Sequence, residues 1–170
     1  MGLREPLAEI ASSCSLPKAL ELMGERWSFL ILRAAFNGLK HFEEMQSNLG
    51  IARNILANRL GRLVDGGILE RTPCPEDRRK VEYRLTAKGE ALLPTMIALR
   101  QWGERWETGC PSNPVLVDKR DGLPVSQIRV HAHDGRPLDW HDLCFRMRED
   151  MGEMTAQAAE QPPALSANYS

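Results

Sequence analysis

The sequence predicts a mainly α fold (α+β) with a small β-hairpin following the fourth of its helices and a small β unit near the C-terminus. Three observations point there. Apolar residues recur at helical spacing through most of residues 15–107; the period switches to strand alternation at 68–72 and 81–85; and a Pro-rich charged loop, PCPEDRRK, separates those two runs. The 170 residues suffice for one ordinary domain with an appendage, and 42% hydrophobic residues can supply a core.

Residues 1–13 are expected to form a flexible arm. Ser15-Leu16-Pro17 can start a helix, with Ser ahead of it and Pro in its first turn. Leu16, Ala19, Leu20 and Met23 then share one face, and Gly24 ends it. A second helix, Glu25 to Phe36, places Trp27, Leu30, Ile31, Ala34 and Ala35 at i, i+3, i+4 spacing before Asn37-Gly38 stops it.

A short helix at His41–Asn48 turns Phe42, Met45 and Leu49 inward, and Gly50 makes a tight turn. The next helix, Ala52 to Asp65, should bury Ile55, Leu56, Leu60, Leu63 and Val64 and expose Arg53, Asn54, Asn58, Arg59 and Arg62. Gly66-Gly67 ends it. The two strands follow, and Thr86 is a good N-cap for a long helix from Ala87 towards Glu107. Leu92, Leu93, Met96, Ile97, Leu99, Trp102 and Trp106 give that helix a wide apolar stripe. Pro94 predicts a kink in it rather than a stop.

Cys110-Pro111-Ser112-Asn113-Pro114 breaks the pattern. A small β-rich C-terminal unit is expected over 110–149, with strands in VLVDK and PVSQIRVHAH and a turn at Asp134-Gly135. Residues 150–170, acidic and rich in Ala, Gln and Pro, suggest a disordered tail. No internal repeat is evident.

The net charge of −1 does not advertise a polyanion partner, but its distribution is uneven. Ile51 to Arg84 holds eight basic residues against five acidic ones, whereas Glu149, Asp150, Glu153 and Glu160 stand in a tail without Lys or Arg. No stretch approaches the ~20 apolar residues of a membrane helix, and no signal peptide is visible, so a cytoplasmic protein is expected. Cys14, Cys74, Cys110 and Cys144 are widely spaced and make no disulfide framework. GxSxG, a Gly-rich phosphate loop and HExxH are all missing, so no enzymatic activity and no cofactor are expected. Asp139-Trp140-His141-Asp142 sets a His between carboxylates, but sequence neighbours do not make a site.

Two helices joined by a short Gly-containing turn form a helix-turn-helix, and the basic hairpin tip Glu76–Lys80 beside it has the character of a wing. The second helix of such a motif enters the major groove of double-stranded DNA. Arg suits guanine O6/N7 and Asn suits adenine N6/N7, which makes Arg53, Asn54 and Asn58 the base-reading candidates. Arg59 and Arg62 are assigned to phosphates or lie beyond the groove, and Lys40 ahead of the motif can hold a phosphate. Arg78, Arg79 and Lys80 would lie along the backbone or enter the minor groove. Taken singly, Arg and Asn on a helix are as well explained by a solvated face, and RRK in a loop by solubility. The order helix, turn, helix, hairpin is what points to DNA.

The stretch from Cys14 to Pro94, about half the chain, resembles the HxlR-type winged helix-turn-helix regulators, relatives of MarR-type proteins. Its landmarks are Cys14, Gly24-Glu25-Arg26-Trp27, His41-Phe42-Glu43-Glu44-Met45, Ile55-Leu56-Ala57-Asn58-Arg59-Leu60 and Val81-Glu82-Tyr83-Arg84-Leu85-Thr86. The resemblance implies a winged helix-turn-helix domain over 14–109. It also implies a homodimer built from the first helix and the helix after the wing, hence Leu16, Leu20, Leu92, Met96, Leu99, Trp102 and Trp106. The stripe ending in Trp102 and Trp106 supports this independently, being more apolar than one small domain needs to bury. Such a dimer would read an inverted repeat. Repression is the preferred action, because blocking polymerase needs only a bound dimer.

Cys14 occupies a position where many family members carry a cysteine, and in some of them that thiol responds to oxidants or electrophiles. A redox-sensing thiol near a helix N-terminus and a buried, inert one both fit the sequence. The C-terminal unit resembles a degenerate zinc ribbon that lacks paired cysteines. His131, His133 and Asp134 with His141 or Cys144 fit no ribbon spacing, so no metal is expected. The effector, small molecule or oxidant, is not legible. The alternative function is a redox- or ligand-sensing protein-interaction module on the same fold, which Glu76-Asp77 and the net negative charge leave open.

Overall fold

Leu56, Leu60 and Leu63, spaced i, i+4 and i+7 along one helix, are fully buried, and the other elements assemble around them. In the computed structural model, which describes residues 14–74, 77 and 80–146, the order is α1 (Ser15–Met23), α2 (Arg26–Phe36), α3 (Phe42–Leu49), α4 (Arg53–Asp65), β1 (Leu69–Pro73), β2 (Val81–Leu85), α5 (Ala87–Glu90) and α6 (Leu93–Gly103). This is the expected mainly α fold with a small wing. The expected arm (1–13), the wing-tip positions 75, 76, 78 and 79, and the tail from 147 on lie outside the described residues.

The core takes Ile31 and Leu32 from α2, Met45 from α3, the three α4 leucines, and Ile68 and Leu69 at the start of the wing. Each such side chain contributes about 1.5–3 kcal/mol by leaving water. β1 and β2 pair antiparallel, with Leu69 opposite Leu85 and Pro73 opposite Val81. The chain just before α3 joins this hairpin: Tyr83 N donates to Lys40 O at 2.8 Å, and His41 bridges Glu82. The base of the wing is thereby tied to the start of the helix-turn-helix.

The far end of α4 is tied to α5. Thr86 Oγ1 donates to the Gly67 carbonyl at 2.6 Å and accepts from Gly89 N at 3.1 Å. Lys88 Nζ donates to Gly66 O at 2.8 Å, a cation just beyond the C-terminus of α4, the negative end of its dipole. A Cβ on Gly89 would sit 2.3 Å from Ile68 O, so this approach of α5 to β1 requires glycine.

Two expectations are corrected. The helix predicted from Ala87 to Glu107 is not continuous. Helix α5 ends at Glu90, Leu92 N bonds back only three residues to Gly89 O, and α6 restarts with Pro94 in its first turn. Pro94 has no N–H to carry the α ladder across, so it restarts a helix instead of kinking one. Helix α6 then runs into a π turn, Glu104–Thr108.

The C-terminal segment holds isolated bridges, not the extended strands expected. Val117 bridges Pro124, and His131 bridges Pro137. Proline offers no N–H, so neither hairpin can extend its ladder through that residue. The expected Asp134-Gly135 turn is one of two that share a motif, Asp121-Gly122-Leu123-Pro124 and Asp134-Gly135-Arg136-Pro137. In each, the Asp Oδ1 accepts from the backbone N two residues on, Leu123 at 2.9 Å and Arg136 at 3.0 Å. The glycines take φ of +72° and +83°.

Contacts divide the chain after Ile128, whereas the sequence suggested a division at 110. The first turn belongs with the helical unit because α6 holds it. Gln101 Nε2 donates to Ser126 O at 3.0 Å, Ile128 N donates to Gln101 Oε1 at 2.8 Å, and Arg100 Nη2 donates to Pro114 O at 2.5 Å.

Candidate nucleic-acid interface

Gly50 caps α3 in the left-handed conformation (φ +60°, ψ 30°), which turns the chain sharply enough for α4 to begin at Arg53. With Leu56, Leu60 and Leu63 facing the core, the opposite side of α4 carries Asn54, Asn58, Gly61 and Asp65, all exposed. The two flanks differ. Towards α3, the Arg53 guanidinium lies over the Phe42 ring, 4.9 Å from its centroid, a cation–π contact.

Towards α1 and α2, Arg59 and Arg62 converge on Glu25. Arg59 Nη2 ion-pairs with Glu25 Oε2, Arg62 Nη1 donates to Oε1 at 3.1 Å, and Arg62 Nη2 donates to Glu21 O at 2.9 Å. The expectation that Arg59 faces outward is corrected, since its side chain is only 19% exposed. Ile55, assigned to the core, is instead 38% exposed. The reason is geometric: the buried direction is centred on the leucines, and Ile55 sits about 100° round the helix from Leu56.

At the wing base, Glu82 is buried, and Arg84 Nε donates to its Oε2 at 2.8 Å. That hydrogen bond holds the Glu82 carboxyl below the usual carboxylate range against the opposing effect of burial, with the charges of Arg84 and Lys40 adding to it. His41 Nδ1 donates to Val81 O at 3.3 Å, and its Nε2 lies 3.9 Å from Glu82 Oε1. Lys40 is half-buried beside this cluster, and Lys80 is exposed at the C-terminal foot of the loop, its carbonyl accepting from Cys74 N at 2.9 Å. Arg78 and Arg79 lie outside the described residues.

The residues expected at a dimer contact divide. Leu16, Leu20, Leu99, Trp102 and Trp106 are exposed, the two tryptophans by 53% and 64%. Leu92 and Met96 instead pack half-buried against the chain's own core. None of the residues of α6 is buried. Cys14 is half-buried at the N-cap position of α1, with extended backbone and no side-chain capping bond. Among the described residues no three His, Cys, Asp or Glu side chains gather as a metal-holding group. His141 pairs instead with Asp139, Nδ1 to Oδ1 at 2.7 Å.

Sequence reasoning missed Glu25 and Phe42. Both act through tertiary contacts, and the sequence marks them only as members of the Gly24–Trp27 and His41–Met45 landmarks, with Phe42 on the inward side of its helix.

A helix-turn-helix with a wing locked to its first helix is the geometry of one class of DNA-binding regulators, and comparison decides which. The family described as HxlR-like helix-turn-helix matches residues 22–109. The chain belongs to this family. Among the relatives of this HxlR-like chain, the HTH-type transcriptional regulator Rv3095 of Mycobacterium tuberculosis (strain H37Rv) is 46% identical over 149 residues, which is 88% of this chain and 85% of that one. The crystal structure of PA1607, described as a candidate transcription factor, is 41% identical with a TM-score of 0.75, covering 82% of this chain and 98% of that chain. PA1374 of Pseudomonas aeruginosa, likewise a candidate transcription factor, is 34% identical with a TM-score of 0.57, covering 85% of this chain and 99% of that one. The HxlR-like chain is a DNA-binding transcriptional regulator with a winged-helix fold, not an enzyme. Among the described residues no helix is long and apolar enough to cross a membrane.

Proposed function

We propose that this regulator acts in the cytoplasm as a homodimer on an inverted-repeat operator and represses transcription by occupying it. The observation that carries the reading is the outward face of α4, polar and exposed from its first turn, flanked on the α3 side by Arg53, with Lys40 at the wing base just ahead of α3. Set in the major groove, that face meets base edges while Arg53 and Lys40 meet phosphates. Arg78, Arg79 and Lys80 of the wing take the neighbouring backbone or minor groove. Arg59 and Arg62, engaged by Glu25, hold α4 in its seat.

The dimer is supported by α6. An apolar helix with no buried residue leaves Leu99 and Trp102 in water, the π turn after it leaves Trp106 there too, and Leu16 and Leu20 of α1 are exposed as well. A two-fold contact through these faces would present two α4 helices to successive groove faces. DNase footprinting of the DNA upstream of the chain's own and neighbouring genes, with light scattering for the mass, tests both parts. A two-fold symmetric footprint from a species of twice the chain mass is expected. A monomer, or protection without symmetry, would overturn the proposal.

A further inference from the structure

We propose that α4 reads adenine–thymine pairs, with Asn54 and Asn58 as the specificity-determining residues and no guanine contact from its arginines. This rests on the DNA-binding reading above and goes further, to the chemistry of the bases.

The arginines are the starting point, because bidentate Arg to guanine is the commonest specific contact in major grooves. Helix α4 has three, and each is already placed. Arg59 and Arg62 are drawn to the α1–α2 side by Glu25 and the Glu21 carbonyl. Arg53 is stacked on Phe42, the first residue of α3. In a helix-turn-helix the first helix crosses the DNA backbone, so a guanidinium held against its start meets phosphate, not the groove floor.

What remains on the outward face is Asn54 and Asn58, one turn apart, and then Gly61. Nothing lies within 4 Å of where a Gly61 Cβ would be, so the helix backbone can come close to the groove there. Asp65, on the same face, is repelled by phosphates and marks where the contact ends. An Asn side chain pairs with adenine N6 and N7. Exposed Ile55 and Ala57, on either side of the asparagines, offer apolar surface to a thymine methyl. All four side chains favour the same base pair. The rise from residue 54 to 58 is about 6 Å, close to two base-pair steps of about 3.4 Å. Each half-site should therefore carry two A·T pairs about two steps apart.

The test is selection from a random duplex library by the full-length protein, followed by fluorescence anisotropy on the selected duplex. Half-sites with A·T at two positions about two steps apart are expected. Asn54→Ala and Asn58→Ala should each relax one of them, with a loss of about 5- to 150-fold. 7-Deazaadenine at either position, which removes N7, should weaken wild-type binding and leave the matching Asn variant unaffected. Selected G·C pairs at those positions, relaxed by Arg53→Ala, would overturn the proposal while leaving the DNA-binding reading intact. Failure of that reading looks different: no sequence enriches at all, and both fall.

Discussion

Glu25 accepts a hydrogen bond from Arg62 at 3.1 Å, joining the start of α2 to the recognition helix across 37 residues of sequence. The same carboxylate ion-pairs with Arg59. It therefore orients α4 and, on the function proposed above, keeps two cations off the face that meets DNA. Glu25→Gln is expected to cost about 1–2 kcal/mol in urea denaturation; the partly exposed Arg62 pair contributes little of this and the half-buried Arg59 most. It should also steepen the salt dependence of DNA binding by up to about two log–log units as the freed guanidiniums reach phosphates. Unchanged stability together with an unchanged slope would show that the clamp does neither job.

The same substitution should have opposite signs at two glycines. Gly89→Ala drives a Cβ to 2.3 Å from the Ile68 carbonyl oxygen, backbone that cannot swing away, and should destabilise by about 3 kcal/mol. Gly61→Ala meets open space inside α4 and should stabilise by about 0.5–1 kcal/mol. Paired thermal melts settle it, and a stabilised Gly89 variant would mean that α5 does not pack on β1 as described.

The wing base should show its buried carboxylate in acid. Because Arg84 lowers the folded-state pKa of Glu82 from 4.5, its stabilisation is complete above that value. It is lost as pH falls below 4.5 towards the lowered pKa. Glu104, lowered by Ser112 and Arg100, adds to the same window. Denaturation midpoints at pH 7 and pH 4 should differ less for Glu82→Gln than for wild type. An equal difference would remove Glu82 from the account.

Cys14 stands at an N-cap without making a capping bond. Cys14→Ser supplies a hydroxyl there and is expected to raise stability by about 0.5–1 kcal/mol while leaving DNA affinity unchanged. Any diamide sensitivity of DNA binding that depends on this thiol would vanish in the same variant. A drop in stability would mean that the thiol's packing outweighs the cap.

Local signals made much of this molecule legible. Gly24, Gly50 and Gly66 mark helix ends, the leucine spacing of α4 fixes its buried side, and the change of period at Ile68 announces the wing. Errors arose where a partner distant in sequence decides the outcome. Arg59 looks solvent-facing until Glu25 is brought beside it. Ile55 looks buried by hydrophobicity alone, yet Leu56, Leu60 and Leu63 already fill the core direction. Leu92 and Met96 look like the rest of the α6 stripe, but the break at Ala91-Leu92 turns them to their own core. The C-terminal segment alternates like strands, but the proline at the fourth position of each Asp-Gly-x-Pro turn offers no N–H, so each turn carries one bridge and no ladder.

The central claim, that α4 and the wing form a phosphate-clamped reading head, is tested most directly by anisotropy titrations on upstream and shuffled duplexes at several salt concentrations. Lys40→Ala and Arg53→Ala should be measured beside the wild type. Tighter binding to the upstream duplex is predicted, with each substitution flattening the log–log salt slope by about 0.9. Equal affinity for both duplexes, with slopes that neither substitution changes, would contradict it.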